Sequence, residues 1–342
     1  MLALDRDGAL GVAMLSFAHV HADGYARQVV DHARARLVVV WDEEEARGRE
    51  AAKRFGVPFE PDLDRVLAWD GVGGVVCNAP SSMHAEILTR AAQAGKHLFT
   101  EKVLSPTVAD CDRIIAAARQ AGVQLVISMP RLCEGGVRWL KEAIDAGDLG
   151  EITFARTRQG HAAALDGNWK PGNWFRDPER AGGGALMDLG AHPVYIIRHL
   201  LGEPRSVMAR LSSFRGAYEV DDNALVLIEF GSGALGSVEA SWVQRGGPGG
   251  VAVYGTKGWA MLGYPGAAVI AGGEAFTGNR GGALMPDRLP PAWPSPMDQW
   301  LRAVLDGRTP EITPEFGRSL TEIMQAATIS ERERREVRWP IH

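Results

Sequence analysis

The sequence predicts an α/β protein in two parts: a parallel sheet covered on both faces, then an α+β domain built on a largely antiparallel sheet. Three observations carry this reading. In the front half, short segments that are apolar throughout alternate with helical segments, and strands without polar alternation belong to a sheet that meets water on neither face. After Arg131 the pattern changes to strands joined by glycine turns, several with polar alternation, as a sheet with one solvated or partner-covered face shows. Finally, 342 residues exceed the ~100–200 residues that one core usually serves. The spacing predicts domains over 8–130 and 131–342.

Taken in order, strands are expected over 11–17, 37–41, 74–77, 97–100 and 124–128. Helices are expected over 22–32, 43–55, 61–69, 83–94 and 108–121. Gly56, Gly95 and Gly122 follow three of these helices, where a residue free to take positive φ ends a helix. The result is a Rossmann-like order of alternating strand and helix. In the second domain a helix at 135–146 precedes a strand at 152–158. A Gly-, Asn-, Trp- and Pro-rich stretch spans 160–184, and a single helix is expected over 186–201. Strands follow at 205–212, 223–230, 234–242 and 250–254, then a loop at 263–296. Helices at 297–306 and 315–331 finish the chain.

Composition excludes several classes. Lys and Arg number 37 against 42 Asp and Glu, a net charge of -5, which offers no basic field for nucleic acid. Cys77, Cys111 and Cys133 are odd in number and far apart, which argues against a disulfide framework or a metal knuckle. No apolar run is long enough for a signal core or a membrane span. A cytoplasmic protein with no membrane partner is expected.

In an open parallel sheet, ligands bind beyond the carboxyl ends of the strands. That rule selects the turn from Ser16, Asp42, the turn from Asn78 through Pro80 to His84, and Glu101-Lys102. A loop that cradles a diphosphate reads Gly-x-Gly-x-x-Gly, because close backbone approach leaves no room for side chains. Here the segment is Ser16-Phe17-Ala18-His19-Val20-His21. Asp42 stands where a carboxylate accepts ribose hydroxyls; it is equally suited to cap the next helix. Lys102 suits a substrate oxygen, or is an ordinary surface lysine. Asp188 and His192, spaced i,i+4 in one expected helix, project to one face. They can deprotonate a hydroxyl, form a plain helix pair, or make half of a metal site. His19, His21 and His84 offer three imidazoles to one cleft, but are read as bonding phosphate or backbone, so no metal is expected.

Several segments, taken together, resemble the glucose-fructose oxidoreductase / inositol dehydrogenase (Gfo/Idh/MocA) family over nearly the whole chain. They are Asn78-Ala-Pro-Ser-Ser-Met-His84, Ala94-Gly-Lys-His97, Glu101-Lys102, Asp148-Leu-Gly150, Trp174-Phe-Arg-Asp177, Gly183-Gly-Ala-Leu-Met-Asp-Leu-Gly-Ala-His192 and Gly255-Thr-Lys-Gly258. The resemblance implies a dinucleotide bound in the first domain and hydride transfer at a carbinol carbon of a sugar or cyclic polyol. It places the family's lysine, aspartate and histidine on Lys102, Asp188 and His192, with the histidine as acid/base. It departs at the glycine fingerprint, and at Glu-Lys-Pro, which here is Glu101-Lys102-Val103.

The expected cofactor is NAD rather than NADP, since Asp42 is followed by three glutamates with no arginine directly beside it. Ser16, Phe17, Ala18, His19, His21, Asp42, Asn78, Pro80, His84, Glu101 and Lys102 are the expected cofactor residues. Trp174, Arg176, Asp188 and His192 are the expected substrate residues, with the segment from Asn168-Trp169 to Arg176 forming a sugar-facing wall. Two alternatives share the scaffold: NAD-assisted glycoside cleavage, and a non-catalytic sugar-binding or regulatory protein. A homodimer or homotetramer is expected to cover Trp242, Val251 and Val253, unless the loop at 263–296 does so.

Overall fold

Strand β1 (Leu10–Leu15) is buried at all six positions and begins a run of alternating elements in the computed structural model, which describes residues 8–166, 173–247, 249–264, 268–278 and 282–341. There follow α1 (Ala22–Asp31), β2 (Ala35–Trp41), α2 (Glu45–Phe55), α3 (Leu63–Ala68), β3 (Gly74–Cys77), α4 (His84–Gln93), β4 (His97–Thr100), α5 (Val108–Ala121) and β5 (Leu125–Ile127). The five strands are parallel in the order β2-β1-β3-β4-β5. Gly56 and Gly122 end α2 and α5 at φ 70° and 67°, the left-handed backbone that glycine adopts without strain.

The register of this sheet builds the site. Leu15 pairs with Trp41 and Cys77, Cys77 with Thr100, and Thr100 with Ile127. The strands therefore stop level, and the next residues of each (Ser16, Asp42, Asn78, Glu101 and Ser128) share one edge. Four of them donate a backbone N–H back to the row: Ser16 to Trp41, Asn78 to Leu15, Glu101 to Cys77 and Ser128 to Thr100.

The second series begins with α6 (Gly135–Asp145), β6 (Ile152–Gly160), α7 (Pro178–Ala181), α8 (Ala185–Asp188) and α9 (Ala191–Leu201). Strands β7 (Pro204–Ser212), β8 (Asn223–Phe230), β9 (Leu235–Ser241), β10 (Gly249–Gly255), β11 (Gly258–Tyr264) and β12 (Val269–Gly273) come next. After α10 (Glu274–Thr277) and β13 (Ala283–Leu284), the chain ends with α11 (Pro296–Asp306), α12 (Pro314–Glu333) and β14 (Val337–Arg338). Nine strands join in the order β13-β12-β11-β10-β6-β9-β8-β7-β14. All of the pairings are antiparallel except β6 with β9.

Contacts divide the chain into two units, Met1–Ser128 with Pro294–Arg318, and Met129–Trp293 with Ser319–His342. Helix α11, expected with the second domain, belongs to the first unit. Its Trp300 is fully buried and lies 5.9 Å from the Phe99 ring of β4. An apolar helix stripe goes where it removes most area from water, and a buried aromatic of this size stabilises by about 1.5–3 kcal/mol.

Three expectations about the second unit are corrected. The helix expected over 186–201 is broken at Leu189 and Gly190 into α8 and α9. Glycine permits the break, because a Cβ on Gly190 would lie 2.5 Å from the Leu186 carbonyl oxygen. The expected loop at 263–296 carries β12, α10 and β13, which extend the sheet. Lastly, Trp242, Val251 and Val253 need no partner subunit: they are 0%, 4% and 0% exposed. Val251 and Val253 alternate with Ala252 and Tyr254, so they point to the inner face, the side on which α9 packs against β6 and α6 against β11 to either side of β10.

Candidate active site

In the first unit, Ser16 takes φ 72°, where a non-glycine residue costs roughly 1–2 kcal/mol. Two bonds offset this. The Ser16 N–H donates to Trp41 at 2.7 Å, and its Oγ accepts the Ala18 N–H at 3.1 Å. The rest of the loop closes on itself in the same way. Phe17 N donates to Asp42 Oδ2 at 2.8 Å, His19 N to Asn78 O at 3.2 Å, and His21 N to His19 Nδ1 at 3.2 Å. Donors that would face a diphosphate in a glycine-rich loop are thus turned inward. Helix α1 has no side-chain cap at His21, so its N-terminal dipole remains as the anion-facing element. The residues fit a dinucleotide at the helix end and strand edge, and do not fit the glycine cradle.

Asp42 is corrected in its surroundings. Its buried carboxylate accepts the N–H groups of Phe17 and Glu44, both at 2.8 Å, and a bidentate Arg47 at 2.6 and 3.0 Å. An arginine does stand beside Asp42, because the first turn of α2 brings residue 47 back over residues 42–44; it also pairs with Glu43 and Glu44. Asp42 caps and clamps the loop, and its oxygens are occupied by protein donors. The sequence signal for Arg47 was helical spacing from Glu43 and Glu44, rather than adjacency to Asp42.

Glu101, 2% exposed, directly follows β4 and gathers the loop's histidines. Its Oε1 lies 2.6 Å from His21 Nδ1 and 3.8 Å from His19 Nδ1, and accepts the Tyr25 hydroxyl; Oε2 accepts the Lys102 N–H at 2.8 Å. The Tyr25 hydroxyl, its one proton given to Glu101, also lies 2.7 Å from Ser128 Oγ, whose hydroxyl donates to it. Burial pushes the Glu101 pKa up, but the charges of His19, His21 and Lys102 and the His21 hydrogen bond outweigh it, holding the carboxyl well below its usual range. Lys102 is buried at the same edge, and its peptide bond to Val103 is cis. Pro80 precedes a 3₁₀ turn, Ser81–Met83. His84 stands apart from the other histidines: Nδ1 faces the Val103 and Leu104 carbonyls at 3.0 and 3.2 Å, and Nε2 faces Ala79 O at 2.9 Å. Burial lowers its pKa.

In the second unit, each expected catalytic side chain is held by an aromatic. Asp188 Oδ2 accepts the Trp242 indole N–H at 3.1 Å. His192 Nδ1 lies 2.8 Å from the Tyr195 hydroxyl. The i,i+4 argument for a common helix face does not apply across the break. What positions Asp188 instead is Asp221, whose carboxylate accepts Gly184 N at 2.9 Å and Leu186 N at 2.8 Å at the start of α8. Burial raises the Asp221 pKa to about 6. Asp221, Trp242 and Tyr195 were not legible as site residues, because each lies a strand or a helical turn away from the motif it serves.

Trp174 is buried and stacked on Phe175 at 4.0 Å. Arg176 donates to Ala217 O at 2.9 Å and lies over the Tyr218 ring. Asn168 and Trp169, the other part of the expected sugar wall, lie outside the described residues. A separate cavity of about 460 Å³ is lined among others by Arg131, Arg158, Gln159, His161 and Pro193; Pro193 follows His192, and the Arg131 N–H donates to the Tyr195 hydroxyl at 3.4 Å. Its mixed polar and apolar walls have the size of a small-molecule site.

Comparison with known proteins follows this geometry. The family model "Oxidoreductase family, NAD-binding Rossmann fold" matches residues 12–129, and "GFO/IDH/MocA C-terminal domain" matches 137–261. The chain is 28% identical to scyllo-inositol 2-dehydrogenase (NAD(+)) of Bacillus subtilis, covering 95% of this chain and 93% of the relative. It is similar to the crystal structure of GenD2 from gentamicin A biosynthesis in complex with NAD, at 31% identity and TM-score 0.82, covering 97% of each chain. It is also similar to aldose-aldose oxidoreductase from Caulobacter crescentus, at 26% identity and TM-score 0.82, covering 96% of this chain and 99% of that one. With both domains matched in order and full-length relatives on either side, the chain belongs to the Gfo/Idh/MocA oxidoreductase family.

Proposed function

We propose that the protein is an NAD-dependent oxidoreductase acting at a carbinol carbon of a sugar or cyclic polyol. The observation that carries this reading is the pair of aromatic-held groups, Asp188 on Trp242 and His192 on Tyr195. A buried tyrosine on Nδ1 fixes the imidazole's orientation, and Nε2 then exchanges the substrate hydroxyl proton. Asp188 orients a neighbouring hydroxyl. Lys102 holds the reacting oxygen and steadies its developing negative charge. A bound nicotinamide supplies the hydride acceptor or donor. Contacts to the dinucleotide come from the N-terminus of α1 and the edge at Asn78 and Pro80. The relatives support this class of chemistry, being named for inositol and sugar substrates or solved with NAD.

Following absorbance of the reduced nicotinamide against a panel of inositols and aldoses tests the reading. Turnover is expected with NAD, and His192→Ala should reduce it by about 10²–10⁴-fold while leaving dinucleotide binding nearly intact. Equal activity in both proteins would remove His192 from the mechanism.

A second reading rests on the inward-turned amides of residues 16–21: a sugar-binding protein that takes no dinucleotide. Absence of NAD or NADP binding at millimolar concentration would favour it. We also propose a homo-oligomer joined through the outer face of the nine-stranded sheet. Its register aligns Met208, Leu227, Ser237, Arg156, Ala252, Met261 and Ile270 in one row. Four of these are exposed apolar residues: Met208 47%, Leu227 47%, Met261 42% and Ile270 39%. Such area on one face marks an interface. The cysteines, all buried and none in a disulfide, suit a reducing, cytoplasmic setting.

A further inference from the structure

We infer that His19, His21 and Glu101 form a binding site for one divalent transition-metal ion, of which Zn²⁺ is the type. This goes beyond the oxidoreductase reading and does not depend on it. The sequence grouped His19 and His21 with His84, but the structure replaces His84 with a carboxylate. One ligand atom from each of His19, His21 and Glu101 lies within 4.8 Å of the others. Two nitrogens and an oxygen bound at about 2.0–2.2 Å stand roughly 3.4 Å apart in a tetrahedral shell. The observed separations from Glu101 Oε1, 2.6 Å to His21 and 3.8 Å to His19, bracket that value, and all three ligand atoms lie within 4.8 Å of one another. Seating an ion requires His19 Nδ1 to release the His21 N–H it accepts and both rings to shift slightly.

The surroundings suit a metal more than a bare hydrogen-bond cluster. Glu101 and His19 are rigidly placed, at 2% and 3% side-chain exposure, one at a strand end and one in the loop. The carboxylate is oriented by Tyr25 and by the Lys102 N–H, and Tyr25 in turn is fixed by Ser128. Support of this kind holds metal ligands in place and tunes them. His21 is 51% exposed, so an ion can enter and keep a position open to water or to a ligand oxygen. Two imidazoles and one carboxylate favour zinc, cobalt, iron or manganese over magnesium or calcium. His21 stands where the last glycine of the pattern would have placed bare backbone, with His19 two residues before it, which gives the departure from that pattern a chemical purpose.

Purified full-length protein, stripped with a chelator and kept free of dinucleotide, tests the inference by titration. Co²⁺ should develop visible d–d absorption that saturates at one equivalent per chain, and Zn²⁺ should displace it with micromolar or tighter affinity. His21→Ala and Glu101→Gln should each weaken binding by at least about 100-fold, whereas His32→Ala, outside the cluster, should leave it unchanged. Because Glu101 is buried, its variant must first be shown folded by circular dichroism; the half-exposed His21 keeps the test decisive on its own. No saturable binding up to millimolar ion, or unaltered binding in His21→Ala, would overturn the site.

Discussion

At the residue scale, environment decides what each polar group can do. Asp42 reads from sequence as a ribose acceptor, yet its oxygens are engaged by two backbone amides and Arg47. A fully bonded buried carboxylate gives up those partners only at a cost of a few kcal/mol, so its first role is to hold the loop of residues 16–19. His199 offers a prediction of the same kind. Burial, with Lys141 and Arg198 nearby and Asp145 opposing them, lowers its pKa from 6.5 to about 4, and its ring meets Trp293 edge-on. The unfolded chain therefore binds this proton more tightly than the folded one. His199 contributes stability above pH 6.5 that is lost as pH falls from there through about 4, with an upper bound of about 3 kcal/mol. Urea midpoints at pH 7 and pH 4.5 check this. His199→Gln should lose measurably less stability across that interval than the parent protein, and an equal loss would show that His199 carries none of the acid sensitivity.

Elements, at the next scale, are set by where glycine allows close approach. The helix that periodicity predicts over 186–201 is apolar enough to run unbroken, and sequence pattern alone does not reveal the turn at Leu189 and Gly190. The reason is tertiary. Asp221, from the segment before β8, takes the amides at the start of α8, and Gly184 has no room for a Cβ, which would sit 2.0 Å from Asp221 O. Gly190→Ala would place its methyl 2.5 Å from Leu186 O, so the step from α8 to α9 must shift. The expected cost is about 1–3 kcal/mol in chemical denaturation, with a larger proportional fall in turnover than in stability because Asp188 ends α8. A variant as stable and active as its parent would show that the break has slack.

For the whole molecule, the outer face of the large sheet is the feature left to explain. Leu227 is 47% exposed and lies in that row between Met208 and Ser237. Leu227→Arg puts a charge in the interface we propose, so light scattering should report conversion to monomers at micromolar concentration. Since that side chain makes little of the chain's own core, stability of the isolated chain should change by no more than about 0.5 kcal/mol. An oligomer unaffected by the change would place the interface elsewhere.

The sequence by itself determined the elements of the parallel sheet, whose strands and helices fall within a few residues of expectation. Uninterrupted apolar runs and glycine stops are local signals, and burial on both faces leaves little alternative. It also placed Ser16, Asp42, Asn78 and Glu101 at one edge, since parallel strands of known length must end together. Tertiary structure alone decided who touches whom there: Arg47 on Asp42, Glu101 with His21 in place of His84, and Trp242 and Tyr195 on Asp188 and His192. It likewise decided that Val251 and Val253 face inward and that α11 packs on the first sheet. Each of these is a pairing across long sequence separation or a choice between two faces of a strand, settled by the register of neighbouring strands and the area available to cover, which period and composition do not encode.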